Sequence, residues 1–214
     1  RRQDGFKAHI AVEPDTGLIT ACALTKASGP DNHEAVVGLG LLDGEDTPVR
    51  VLGDSAYGTG VARAALAELK HVAVLKPIPL RAPVPGGFTS DDFTIDFQAR
   101  TVTCPADHTV GIPPGGGVRF ERYCRSCPLA TQCTTAKRGR CLTISEHEPL
   151  LRAARSVART PEWQAESRQH RPMVERSIAW LTRGNRKVRY RGVAKNNHWL
   201  HHRAAALNLR RLLT

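Results

Sequence analysis

Val49-Arg50-Val51-Leu52-Gly53-Asp54-Ser55-Ala56-Tyr57-Gly58 decides how this chain is read. Apolar residues in a short run, bounded by turn-forming residues, describe a buried strand, and that strand ends at Asp54. Ligands of open α/β sheets bind at the carboxyl ends of strands, so an acid here is a candidate site residue. The plainer alternative is an aspartate that caps its own turn. Downstream, Gly58 and Gly60 lead into a helix over 61–69, and 71–75 forms another buried strand stopped by Pro77. Upstream, Asp31-Asn32-His33-Glu34 caps a helix that runs to about Leu42. Further back, Phe6, Ala8, Ile10 and Val12 alternate along a strand over 6–13 and so share one face. Pro14-Asp15-Thr16-Gly17 turns the chain into a second strand over 18–25, which completes a hairpin. Strand, strand, helix, strand, helix, strand is an α/β pattern.

Beyond Pro77 the character changes. Proline and glycine cluster at 77–79, 83–87 and 113–117, and most of the cysteines appear, so 78–149 reads as an insertion into a core made of 1–77 and 150–214. Helical sequence returns after Pro149 and again at Thr160-Pro161, a capping residue followed by proline at the first helical position. Pro172 is expected to break or restart that helix. A restarted helix buries Val174, Ile178 and Leu181 and carries Glu175 in its first turn, where an ordinary role is to complement the helix dipole. The segment 196–213 is amphipathic, with Leu200, Ala204 and Leu207 on one face and His198, His201 and His202 on the surface.

Charge is unevenly spread in the 214 residues. Residues 1–100 carry a net charge of −3 and residues 101–214 a net charge of +14. Between Gln169 and Thr214 the one acidic residue is Glu175. Such polarity points to a polyanion held by the C-terminal half, double-stranded nucleic acid in particular, with an Arg-rich surface as the alternative. Arg183, Arg186, Lys187, Arg189, Arg191 and Lys195, interleaved with Tyr190, are the candidate phosphate contacts. No apolar run approaches the roughly 18 residues of a membrane span, and no signal-peptide pattern opens the chain. The expectation is a cytoplasmic, nucleoid-associated protein; a homodimer is left open. Residue 1 is not Met, so the beginning of the protein is expected to lie upstream.

Of the six cysteines, Cys124, Cys127, Cys133 and Cys141 sit close together and Cys104 precedes them. Cys124-Arg125-Ser126-Cys127 is a C-x-x-C knuckle, and proline follows both Cys104 and Cys127. Cys104, Cys124, Cys127 and Cys133 suit a tetrahedral structural Zn²⁺. A [4Fe–4S] cluster and plain buried thiols are the alternatives, and Cys141 or His108 is a substitute for one ligand. Cys22, in the second strand, reads as core. Ser55 lacks a His/Asp partnership, which removes a serine-hydrolase reading.

Gly53-Asp54-Ser55-Ala56-Tyr57-Gly58 resembles the segment around the second catalytic aspartate of bacterial insertion-sequence transposases of the DDE type. Arg171-Pro172-Met173-Val174-Glu175-Arg176 resembles the R-x-x-x-E motif that carries their glutamate. Flanking text agrees at 4–9, at Tyr190-Arg191-Gly192 and at Asn208-Leu209. The resemblance implies a ribonuclease H-like mixed sheet with flanking helices, interrupted by the cysteine-rich insertion. It further implies metal-dependent cleavage and transfer of DNA strands. Asp54 and Glu175 would hold Mg²⁺ or Mn²⁺, and Arg171 would steady Glu175 or a DNA phosphate. Two departures stand out. Arg168 and Thr182 occupy positions where such signatures carry Tyr and Lys. The first aspartate fits neither Asp4 nor Asp15, so it is expected upstream of residue 1 and this polypeptide is expected to be inactive by itself. A non-catalytic DNA-binding remnant and a metal-cluster nuclease are the alternative functions.

Overall fold

A computed structural model of the chain describes residues 5–184 and 187–213; Asp4 and Arg186 lie outside the described residues. Along the chain, β1 (Phe6–Val12) and β2 (Ile19–Lys26) form an antiparallel ribbon with a register shift at Ala11/Val12. Helix α1 (Glu34–Gly40) follows, its N-terminus capped by His33, whose ring nitrogen accepts from the Ala35 N–H. Strand β3 (Arg50–Gly53), helix α2 (Gly60–Glu68) and strand β4 (Val72–Leu75) make a βαβ unit, with β3 and β4 parallel. Thr59 caps α2 through its hydroxyl. Next come β5 (Thr94–Asp96), β6 (Thr101–Thr103) and β7 (Thr109–Gly111) in one antiparallel sheet, then β8 (Gly117–Arg119). The short helices α3 (Glu121–Cys124) and α4 (Ala130–Cys133) precede β9 (Cys141–Thr143), which pairs with β8. Three helices close the chain: α5 (Glu148–Val157), α6 (Pro161–Thr182) and α7 (Val193–Leu212).

The chain divides into two compact units, residues 1–77 with 154–214, and residues 78–153. The mixed α/β class is as the sequence indicates. Within the first unit, the described strands form two separate two-stranded sheets, β1–β2 and β3–β4, where the sequence reading expects one mixed sheet.

Burial explains how the first unit holds together. Ile19, Cys22 and Leu24 of β2 pack with Leu181 of α6 and with Leu200 and Ala204 of α7. The amphipathic face expected for the last helix is therefore the one used, and Cys22 is core. Strand β2 has an open edge, and α7 covers it with side-chain amides. Asn208 both accepts from the Ile19 N–H and donates to the Ile19 carbonyl, and Asn197 accepts from the Leu24 N–H. Satisfying these backbone groups removes a pairing edge as well as a desolvation cost.

Three local expectations are corrected. Pro172 does not interrupt α6, which runs unbroken for 22 residues with the proline inside. The proline lies on an exposed stretch, where water can satisfy the carbonyl left without its helical donor. Ile178 is exposed, and Ser177, one position earlier on the continuous helix, is fully buried in its place. In β1, Phe6, Ile10 and Val12 do pack on the core, but Ala8 is exposed and His9, on the other face, is almost wholly buried. That second face meets α1, and the Lys7–Glu34 ion pair (2.7 Å) ties the two elements.

His9 has a consequence for pH. Burial pulls its pKa below the ordinary value of 6.5; the Glu34 carboxylate opposes this and the Lys7 ammonium adds to it. The unfolded chain therefore binds a proton more readily than the folded one near and below pH 6.5, so stability falls as pH drops through that window. The expected result is an unfolding midpoint that declines from pH 7 to pH 5.5 in the wild type and declines less in His9→Gln. Glu13, Glu34 and Glu166, all held below the usual carboxylate value of 4.5 by hydrogen bonds, lose their contributions only at lower pH.

In the second unit Phe93, Val102, Val118, Phe120, Leu142 and Ile144 form a core of their own. Its strands are three residues each, too short for an alternation pattern to be read from the sequence.

Candidate active site and cysteine centre

Asp54 follows the last residue of β3, at the carboxyl end of the parallel pair. One of its carboxylate oxygens accepts from the Ala56 N–H (2.9 Å), and the Asp54 carbonyl accepts from the Tyr57 N–H (3.2 Å). The side chain is exposed. Asp54 is thus both a turn residue and an acid presented to solvent at the end of a strand. Tyr57 anchors this loop, with its ring filling the space beside Gly38 of α1 and Gly53 of β3. Burial raises the Tyr57 pKa above 10, and the charges of Asp54 and Glu34 push in the same direction. Gly58 closes the turn so near to β4 that a Cβ there would overlap the Lys76 carbonyl oxygen. Gly58→Ala is expected to cost about 1–3 kcal/mol, read as a lower denaturation midpoint at unchanged slope.

Glu175 lies on the exposed face of α6 and pairs with Arg171 one turn earlier, at 2.7 Å. Elsewhere on α6, Glu166 takes two hydrogen bonds from Arg50 at the start of β3, at 2.8 and 2.7 Å. Met173 sits against Gly17 in the β1–β2 turn. Glu175 is therefore two residues from a contact at the turn end of the hairpin. Asp54 belongs instead to the surroundings of Tyr57 and Glu34, and Glu34 bridges to Lys7 near the opposite end. No hydrogen bond or ion pair joins Asp54 to Glu175 among the described residues, and no three His, Cys, Asp or Glu are grouped there as a metal site. In kind, two exposed carboxylates suit a hard divalent cation.

The basic candidates Arg183, Lys187, Arg189, Arg191 and Lys195 are all exposed; Arg186 lies outside the described residues. What the sequence did not single out is Asn196, fully buried at the start of α7. Its amide accepts from the Tyr190 N–H and donates to the carbonyls of Tyr190 and Gly192, so it fixes the end of the basic segment on the helix. Polar residues in an Arg-rich stretch give no periodic signal that would mark one of them as buried. At the other end of α7, Arg210 stacks over Trp180 of α6, 4.9 Å from the ring centroid.

In the second unit, Cys104, Cys124, Cys127 and Cys133 line one small cavity together with His108 and Arg140. Burial raises the Cys133 thiol above its usual 9.0; Arg140 opposes, and the charges of Cys124, Cys104 and Cys127 raise it further. Cys141 is exposed and is not part of this lining.

Residues 115–213 match the transposase DDE domain family. The match supports a DDE-type transposase. It includes Cys124, Cys127, Cys133, Arg171, Glu175 and the basic segment, and it does not reach Asp54 or Cys104. No curated protein and no solved structure matches the chain. No helix among the described residues is long and apolar enough to cross a membrane.

Proposed function

We propose that this protein performs metal-dependent cleavage and transfer of DNA strands for an insertion sequence, on a ribonuclease H-like α/β core. The observation that carries the reading is the DDE-domain match over 115–213, which takes in Arg171 and Glu175. An exposed aspartate at the carboxyl end of a parallel strand supports it. Asp54 and Glu175 would hold Mg²⁺ or Mn²⁺. Bound metal supplies an activated attacking oxygen and stabilises the leaving one. Arg171 keeps Glu175 oriented and neutralises part of its charge until the cation arrives. Pro172, where α6 already lacks one helical hydrogen bond, gives the helix a point at which Glu175 can be repositioned.

Double-stranded DNA, as element ends and as target, is the substrate, and the exposed Arg183, Lys187, Arg189, Arg191 and Lys195 track its phosphates. Such contacts give affinity without sequence choice. Arg189→Ala and Arg191→Ala are each expected to weaken binding about equally for all duplex sequences. Each is also expected to lower the slope of log affinity against log salt by roughly one. An unchanged slope removes that residue from the interface.

A non-catalytic DNA-binding protein is the second reading, favoured by the exposed Arg183, Lys187, Arg189, Arg191 and Lys195, which can hold DNA without either carboxylate. The test incubates the full-length protein with a plasmid carrying the DNA that flanks its coding sequence. Nicked and joined products that need Mg²⁺ or Mn²⁺ and vanish with chelator are the expected result. Tight binding with no metal-dependent product would leave the second reading.

A further inference from the structure

We propose that Cys104, Cys124, Cys127 and Cys133 bind a single structural zinc ion in the second unit, with the buried Arg140 offsetting the charge of the thiolates. Local structure brings the four together from separate elements. Cys104 follows β6 and begins a tight turn, its carbonyl accepting from the Asp107 N–H and its N–H donating to the His108 carbonyl (both 2.9 Å). Cys124 ends α3, Cys127 sits in the loop after it, and Cys133 ends α4. All four line the same cavity, whose volume is ≈ 20 Å³. A space of that size takes about one water-sized occupant. It has room for a single ion.

Two features of the wall point to a charged, sulfur-bound occupant. The Arg140 N–H donates to Cys124 Sγ at 3.4 Å, the kind of backbone contact that orients a thiolate and takes up part of its charge. Gly139 makes this approach possible: its φ is +84°, and a Cβ there would lie 3.1 Å from the same sulfur. The Arg140 side chain is itself only 5% exposed, lines the cavity, and has its Nε without a hydrogen-bond partner. It forms no ion pair among the described residues; its guanidinium donates to the Cys133 carbonyl (3.3 Å) and lies over the Phe93 ring. Its charge is felt by the Asp92 carboxylate, whose pKa it helps to lower, but it is hydrogen-bonded to no carboxylate among the described residues, and a buried cation is costly without close counter-charge. Four thiolates around a divalent ion carry a net negative charge, which is the counter-charge this guanidinium needs.

The wall also selects among donors. Cys141 does not border the cavity, and the His108 ring is stacked on Tyr123, with centroids 4.6 Å apart. The four sulfurs are not grouped as a finished ligand shell, so zinc would draw them inward to Zn–S bonds of about 2.3 Å. Each thiol loses its proton to solvent on binding, and no redox change occurs.

The experiment measures zinc and iron per chain in purified wild-type protein by elemental analysis, with no metal added. Equimolar zinc and negligible iron are expected. Cys104→Ser, Cys124→Ser, Cys127→Ser and Cys133→Ser should each remove the zinc, whereas Cys22→Ser and Cys141→Ser should retain it. Arg140→Met should weaken retention against a chelator by ~10–100-fold. Should the cysteine variants fail to fold, two wild-type measurements stand in for them. Cobalt exchange should give the visible absorption of a tetrahedral tetrathiolate site, and chelator should make four additional thiols reactive. Folded protein that neither contains nor takes up zinc overturns the proposal. So does iron with a brown colour, or a Cys104→Ser protein that keeps its zinc.

Discussion

Glu175→Gln in the full-length protein is expected to lower DNA strand cleavage by at least about 10²–10³-fold, the scale of losing one strong electrostatic contribution in a reaction site, while DNA binding persists. The substitution keeps side-chain length and helix propensity and removes one negative charge. Its structural cost is small, because the lost Arg171–Glu175 pair is exposed on both sides, and exposed pairs contribute little. A large rate loss therefore cannot come from unfolding. Asp54→Asn serves as the companion variant. An asparagine side-chain carbonyl still accepts from the Ala56 N–H, so the turn survives while the charge disappears. Parallel losses in the two variants, in a plasmid cleavage assay with Mg²⁺, assign both acids to the reaction. Full cleavage in either removes that residue from it.

Phe120→Ala is expected to destabilise the second unit by about 3–5 kcal/mol, the range for deleting a buried aromatic ring. Phe120 is 1% exposed and packs against Phe93, with ring centroids 5.5 Å apart. A unit covering residues 78–153 has a total stability of only about 4–11 kcal/mol at the usual value per residue. One ring is thus a large fraction of the whole. The backbone of Phe120 adds to the effect. Its carbonyl accepts from the N–H groups of Tyr123 and Cys124, and its N–H donates to the Arg140 carbonyl. Losing the ring loosens the residues that present Cys124 and Arg140 to the cavity. Amide exchange in this unit should rise sharply, with far smaller changes in β1–β2 and α7. Unchanged protection at residues 118–124 would contradict the packing described for Phe120.

The β1–β2 hairpin, the α2 crossover between β3 and β4, and the apolar face of α7 were legible because alternation and helical periodicity are local signals of burial. The fault lay where burial is decided by the rest of the molecule. Alternation put Ala8 on the core face of β1, but α1 covers the opposite face and buries His9. Proline chemistry argued for a break at Pro172, yet the residue lies on a solvent-facing stretch where one missing hydrogen bond is tolerated. Strands of three residues in the second unit carry too few positions for any period to show. Of the candidate site, Asp54 and Glu175 are singled out by motif and charge pattern, which specify residue types and not the path between them. Their anchors, Tyr57 beside Gly38 and Met173 against Gly17, are contacts between distant parts of the chain and have no signature in the sequence.

The most direct measurement is the anomalous scattering of manganese in crystals of the full-length protein bound to DNA. The account predicts a manganese ion contacted by carboxylate oxygens of both Asp54 and Glu175, close to a DNA phosphate. Manganese held by other residues, or the two carboxylates still apart with DNA in place, would contradict it.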